Sequence, residues 1–221
     1  MSPRIKREGL SRERILRAAL GIVDREGLDA LSMRRVGEEL SVEAMSLYNH
    51  VENKGALLDG VFETILGELP TAALAAEWPA NVRERACALR SVLRAHPNAL
   101  PLFATRPAVT PASLVYVEGA LRELKAADFA PREALSAFQV LVAYVVGHTA
   151  TTCAPVASEP GGRPAYARLD ELSFPRVREA ARLLPTHDVE VEFGLGLDAM
   201  LAGLAPLRNR SVRGRPRSAS E

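Results

Sequence analysis

The chain has 221 residues, 48% of them apolar, enough to build a sizeable core as one large domain or two small ones. A formal net charge of +1 excludes a dedicated nonspecific nucleic-acid coat, so any contact with DNA has to come from the placement of basic residues rather than from bulk charge. No uninterrupted run of roughly eighteen apolar residues marks a membrane span, and the amino terminus has charges where a signal peptide needs an apolar stretch. Cys87 and Cys153 are too few for a disulfide framework or a thiolate zinc site and are expected to be small buried residues. The expected location is the cytoplasm, with no membrane partner.

The chain opens on a basic arm, residues 1–10, with Arg4, Lys6 and Arg7, expected to be flexible. From Ser11 the apolar residues Ile15, Leu16, Ala19, Ile22 and Val23 share one broad helical face, with Ser11 as a cap and Gly27 as a stop. Ser32 can cap a second helix through Val36 to Leu40, and a third runs from Ala44 to His50. Only Ser41, Val42 and Glu43 separate them. So short a corner forces the two helices to cross at a wide angle, which lets one lie across a DNA backbone while the other enters the groove. Residues 11–53 therefore read as a helix-turn-helix domain whose exposed side carries Ser46, Tyr48, Asn49 and His50, and double-stranded DNA is the first expected partner. Asn53 caps a fourth, connecting helix over 54–70, in which Leu57, Leu58, Val61, Ile65 and Leu69 recur at three and four before Pro70 ends it.

Beyond an alanine-rich stretch, helical segments are expected around Val82 to Ala95, Pro111 to Ala127, Pro131 to Cys153, Pro175 to Leu184 and Asp188 to Leu207. No strand alternation intrudes, so the fold class is all-α. Pro111 and Pro131 read as helix starts, because a first-turn proline loses no internal hydrogen bond. Ala154 to Pro164, with its prolines and glycines, cannot continue a helix and reads as a flexible or ligand-dependent loop. The segments from Ala137 to Cys153 and from Val191 to Leu207 are apolar over most of their circumference and must be covered all round. Two such helices from each of two chains would form a four-helix interface in a homodimer; one buried central helix in a monomer is the alternative. The basic tail, residues 208–221, lacks an apolar face to fold around. It either adds nonspecific attraction to DNA or is a solvated end.

Catalysis is not expected. His96, His148 and His187 are scattered, no GxSxG or phosphate-binding glycine pattern occurs, and the glycines at Gly161 and Gly162 lack the lysine of a nucleotide loop.

Leu31, Ser32, Leu40, Val42, Leu47, Tyr48, His50, Val51, Asn53, Lys54, Leu57, Leu58 and Asp59 compose the string LSxxxxxxxLxVxxxxLYxHVxNKxxLLD. In this the chain resembles the tetracycline-repressor family of bacterial transcription regulators. Thr105 to Pro107, the helix after Phe129, and Phe193 with Gly194 extend the resemblance over most of the chain. It implies an N-terminal helix-turn-helix joined to a larger helical unit, residues 71–207, that dimerises and binds an effector. The expected function is repression by a homodimer on a palindromic operator, relieved when a small effector moves helix four. The alternative is an architectural or activator protein without an inducer.

By resemblance, Arg34 reads a base edge, a task that Arg35 could also perform. Ser46 faces the groove and bonds base or phosphate, or is a plain surface residue. Tyr48 and Lys54 clamp phosphates on either side of the recognition helix, although Tyr48 could pack on helix one instead. His50 has a contact and a structural reading of equal weight. Ala44, Met45 and Asn49 stand where family members that bind tetracycline carry other base-proximal residues. A different operator follows, in which Ala44 and Met45 can touch a thymine methyl but cannot read adenine by paired hydrogen bonds.

The effector half departs further from those members. Leu102 replaces their metal-binding histidine, Thr151 falls near a glutamate that acts on their metal from behind its ligands, and Pro70 and Arg85 replace polar pocket residues. No metal and no cofactor are expected, and the effector should be small and mostly apolar. Candidate lining residues are Arg85, Leu102, Phe103, Thr105, Arg106, Tyr116, Phe138, Tyr144 and His148, each of which taken alone also reads as ordinary core.

Overall fold

The structure, a computed structural model, describes residues 9–70, 77–153 and 173–208. Nearly all of the basic arm, the alanine-rich stretch, the loop from Ala154 to Pro164 and the tail beyond Arg208 lie outside the described residues. Those described form an all-α fold: α1 (Arg12–Glu26), α2 (Met33–Leu40), α3 (Ala44–Leu47), α4 (Lys54–Leu66), α5 (Trp78–Ala95), α6 (Leu100–Thr105), α7 (Pro111–Ala126), α8 (Pro131–Cys153), α9 (Pro175–Leu183) and α10 (Val189–Leu204).

The caps explain where the early helices begin. Ser11 Oγ accepts from the Arg14 amide at 3.2 Å, Ser32 Oγ from Arg35 at 3.1 Å, and Asn53 Oδ1 from Ala56 at 2.9 Å. Each satisfies an amide that the first turn leaves unpaired. Gly27 ends α1 with φ 86°, in the region that favours glycine. The recognition helix is shorter than its sequence suggests, four residues followed by turns through His50, with the Val51 amide bonded to the Leu47 carbonyl at 2.9 Å. Helix α5 starts earlier than expected, at Trp78, since Pro79 fits a first turn. Helix α6 escapes the sequence pattern altogether, because six residues, Pro101 among them, are too few to display a period.

Two apolar cores organise the chain. The first unites α1 to α4 around Ile15, Ile22, Leu31, Val36, Leu47, Leu57, Val61 and Ile65, and it also takes in Ala99 and Leu102 from the α6 region. The second is centred on α8, where Ala137, Leu141 and Val145 meet Leu93, Leu124, Phe129, Phe193, Leu197 and Leu201. Helix α8 is long and apolar enough to cross a bilayer, a property that a count of uninterrupted apolar residues overlooks. Here the face of α8 bearing Ala134, Ala137, Leu141, Val145 and Thr149 is buried in protein.

Arg90 and Arg94 pair with Glu190, tying α5 to α10, and the Arg90 guanidinium lies 4.4 Å from the Phe193 ring centroid. The expectation for the cysteines needs correction. Helix α5 buries the side with Ala86, Arg90 and Leu93, which leaves Cys87 exposed, and Cys153 is half-buried.

Candidate functional site

The corner between α2 and α3 depends on two backbone features. Ser41 adopts φ 54°, turning the chain sharply, and α2 passes so close to it that a Cβ on Gly37 would lie 2.9 Å from the Val42 carbonyl oxygen. Only glycine fits without shifting backbone. Leu47 anchors the short α3 in the first core. The outward side then presents Met45, 75% exposed, and Tyr48, 46% exposed, with Asn49 and His50 exposed beside them and Ala44 and Ser46 half-buried. Tyr48 thus stands outside the core rather than against α1.

The neighbouring arginines of α2 have different surroundings. Arg35 bonds Glu26 at 2.6 and 3.2 Å and reaches Glu39 at 3.1 Å, so its fork is committed to holding α2 against α1. Its side-chain bond, together with the charge of Arg25, holds the Glu26 carboxyl below the usual range despite the opposing cost of desolvation. Arg34 is 87% exposed on its side chain and, among the described residues, pairs with Glu38 at 3.7 Å. Such an exposed pair contributes little and leaves Arg34 available to another partner. Lys54 is the exposed first residue of α4, at a helix start whose dipole favours an anion.

Between α4, α5, α6, α7 and α8 lies a cavity of about 410 Å³. Its wall is largely apolar, with Phe62 and Leu66 from α4, Leu89 from α5, Val117 and Ala120 from α7, and Leu141 and Val145 from α8. The polar points are Arg85, Glu123, Arg106 and Tyr116. Arg85 grips both oxygens of Glu123, so these charges largely cancel.

Of the candidate lining residues, Arg85, Phe103, Arg106, Tyr116 and Phe138 meet on this cavity. Leu102, Thr105, Tyr144 and His148 do not. Leu102 turns into the first core, and Thr105 spends its hydroxyl on the Pro101 carbonyl at 2.7 Å. Helical geometry separates the residues of α8: Phe138, Leu141, Val142 and Val145 share the cavity side, whereas Tyr144 and His148 face α10. Tyr144 donates to the Phe193 carbonyl at 2.9 Å and stacks on that ring. The His148 ring is buried with neither nitrogen hydrogen-bonded. Burial, then the charge of Arg90, lowers its proton affinity below the ordinary histidine value.

Two contacts that the sequence did not disclose join the first core to the rest. His96, at the end of α5, places Nδ1 2.9 Å from Asp24 of α1 and Nε2 3.0 Å from Glu68 beyond α4, while Asn98 donates to the Asp24 carbonyl at 2.8 Å. Burial works against the imidazolium, but the bonds to Glu68 and Asp24 outweigh it and raise the pKa above the usual value. Arg106, behind α6, donates to Asp59 and to the Gly55 carbonyl, both in the first turns of α4. Neither pairing has a local sequence signal, since the partners are 72, 28, 47 and 51 residues apart.

The apolar circumferences of α8 and α10 are only partly covered. Leu135 and Val140 on α8 and Val191 and Leu195 on α10 remain exposed, Leu195 by 70% and Val191 by 66%. Other residues of the apolar segment from Val191 to Leu207 face inward instead. Leu197 is fully buried, and a Cβ on Gly196 would collide with the Tyr144 hydroxyl.

Residues 15–61 match the description "Bacterial regulatory proteins, tetR family", and residues 70–208 match "Tetracyclin repressor-like, C-terminal domain". Over 204 residues the chain is 32% identical to the tetracycline repressor protein class G of Vibrio anguillarum, spanning 90% of this chain and 95% of that one. It is likewise 32% identical over 204 residues to an HTH-type transcriptional regulator of Saccharopolyspora erythraea, covering 89% and 85% of the two chains. The fold matches the Streptomyces coelicolor TetR family protein ActR in complex with actinorhodin, with a TM-score of 0.77 and 29% identity over 92% of this chain and 99% of that one. The chain belongs to the tetracycline-repressor family of bacterial transcription regulators.

Proposed function

We propose that a homodimer of this chain represses transcription from a palindromic operator and is released by a small effector in the cavity beside α4. One observation carries the reading: a single helix joins both tasks, with Lys54 exposed at its start and Phe62 and Leu66 on the cavity wall near its end. An effector that repositions the far end of α4 therefore moves the helix start that flanks the recognition surface. The contacts proposed are Arg34 to a base edge, Ala44, Met45, Ser46 and Asn49 in the groove, and Tyr48, His50 and Lys54 to phosphate. Support comes from the exposed positions of Arg34, Met45, Tyr48, Asn49, His50 and Lys54 and from the prior commitment of Arg35.

The open sides of α8 and α10 support dimerisation through those helices, which would set the two heads about one helical turn apart. The proposed units are an arm over 1–10, the DNA-binding head over 11–53, the connecting helix over 54–70, the effector and dimerisation unit over 71–207, and a tail over 208–221. A cytoplasmic location without a membrane partner and without catalysis fits this role.

ActR was crystallised with actinorhodin, and a small organic molecule is the effector class proposed here, filling the apolar wall. The side chains at two positions argue against a magnesium chelate: Leu102 is core, and the Thr151 hydroxyl is spent on the Gly147 and His148 carbonyls. The cavity also disfavours a purely architectural role, which would need no such space.

Titrating DNA selected from a random pool, at several salt concentrations, tests the reading. Lys54→Ala should weaken binding uniformly and lower the salt slope by about one. Binding without sequence preference at every salt concentration would refute operator recognition.

A further inference from the structure

We propose that the effector carries an anionic oxygen, such as a carboxylate or acidic phenol, and that it acts by drawing the Arg106 guanidinium away from Asp59 and the Gly55 carbonyl. The inference rests on the cavity being the effector site. Among the lining residues named above, Arg106 alone also bonds the first turns of α4. Its Nε lies 2.9 Å from Asp59, a terminal nitrogen lies 2.7 Å from the same oxygen, and that nitrogen reaches the Gly55 carbonyl at 3.2 Å. Gly55 directly follows Lys54, so the bond fixes the start of α4 next to the recognition surface.

Charge on the wall selects the ligand. Asp59 is not part of the lining, whereas Arg85, Glu123 and Arg106 are, so the cavity itself carries one positive charge beyond its internal pair. Arg85 has little to offer an incoming anion, because both oxygens of the mostly buried Glu123 already occupy it. Arg106 holds its carboxylate through a single oxygen and stays partly accessible. A guanidinium binds a carboxylate best through two parallel hydrogen bonds. A ligand offering both oxygens from an apolar setting would therefore compete with Asp59 on favourable terms. The cost falls on α4: Asp59 and the Gly55 carbonyl lose their donor, and the helix start loses its tie to α6. A neutral molecule of the same shape would fill the cavity and leave that tie in place.

The test uses matched pairs, 1-naphthylacetate with 1-naphthylacetamide and anthraquinone-2-carboxylate with its amide. Operator release is followed by fluorescence anisotropy and occupancy by thermal shift on the full chain. The acids should release operator at concentrations at least tenfold below those of the amides, and Arg106→Gln should abolish the difference while occupancy persists. Asp59→Asn should weaken operator binding in the absence of ligand, which checks the tie independently if Arg106→Gln folds poorly. Acid and amide that stabilise the protein and release operator equally would overturn the role of Arg106 and leave the cavity as effector site. Failure of every compound to raise the melting temperature would overturn the cavity reading, and this inference with it.

Discussion

The head built from α1 to α4 and the body built from α5 to α10 bury their apolar residues to different degrees. Among the described residues of the head, the large apolar side chains left exposed are Met45 and Tyr48, both on the recognition surface. The body exposes Leu114, Val115, Leu135, Val140, Phe174, Leu183, Leu184, Val191 and Leu195, spread over α7 to α10. The head closes its own core, and its exposed large apolar groups among the described residues lie on the surface proposed to meet DNA. The body reads as half of a larger core, because a monomer rarely leaves so broad an apolar surface in water.

That difference breaks most readily at the open side of α10. Leu195→Glu should give a folded monomer by sedimentation, with operator affinity down about a hundredfold or more through loss of the paired second head. Leu197→Glu, two residues along and on the buried side of α10, should instead unfold the body. A Leu195→Glu protein that remains dimeric would remove α10 from the interface.

The closed head should be sensitive at its tightest point. Gly37→Val forces a side chain against the Val42 carbonyl and should cost the head roughly 1–3 kcal/mol by chemical denaturation, as overpacking does elsewhere. An unchanged midpoint would show that the corner can open freely.

Within the head, adjacent arginines separate recognition from structure. Arg34→Ala should relax discrimination at one operator base pair by about 1–3 kcal/mol with the melting temperature unchanged. Arg35→Ala should lower the melting temperature and leave relative affinities for substituted operators alone. Exchanged outcomes would transfer base reading to Arg35.

The smallest effect should come from the junction of the two regions. The pKa of His96 is raised in the folded chain, so its bonds to Asp24 and Glu68 contribute fully below the unfolded value of about 6.5. That contribution fades as pH rises through the raised folded value. His96→Gln should flatten this part of the stability profile measured by thermal melts between pH 6 and 9. An equal slope in both proteins would assign the pH dependence to other groups.

Features that depend on near neighbours are legible along the chain. Ser11, Ser32 and Asn53 cap amides three residues ahead, Gly27 permits its own φ, and the spacing of Leu57, Val61 and Ile65 marks a helix face, so each could be read in place. The family string is equally local, running from Leu31 to Asp59 without a gap. Tertiary structure alone decided which side of a helix faces which neighbour. Arg34 and Arg35 have the same chemistry until Glu26 claims one of them. Tyr144 and His148 resemble pocket residues until α10 covers that side of α8, and Leu197 passes for an interface residue until the core closes over it. His96 with Asp24 and Arg106 with Asp59 join groups far apart along the chain. Their pairing comes from the packing of α5 and α6 against the head, which no short window of residues encodes.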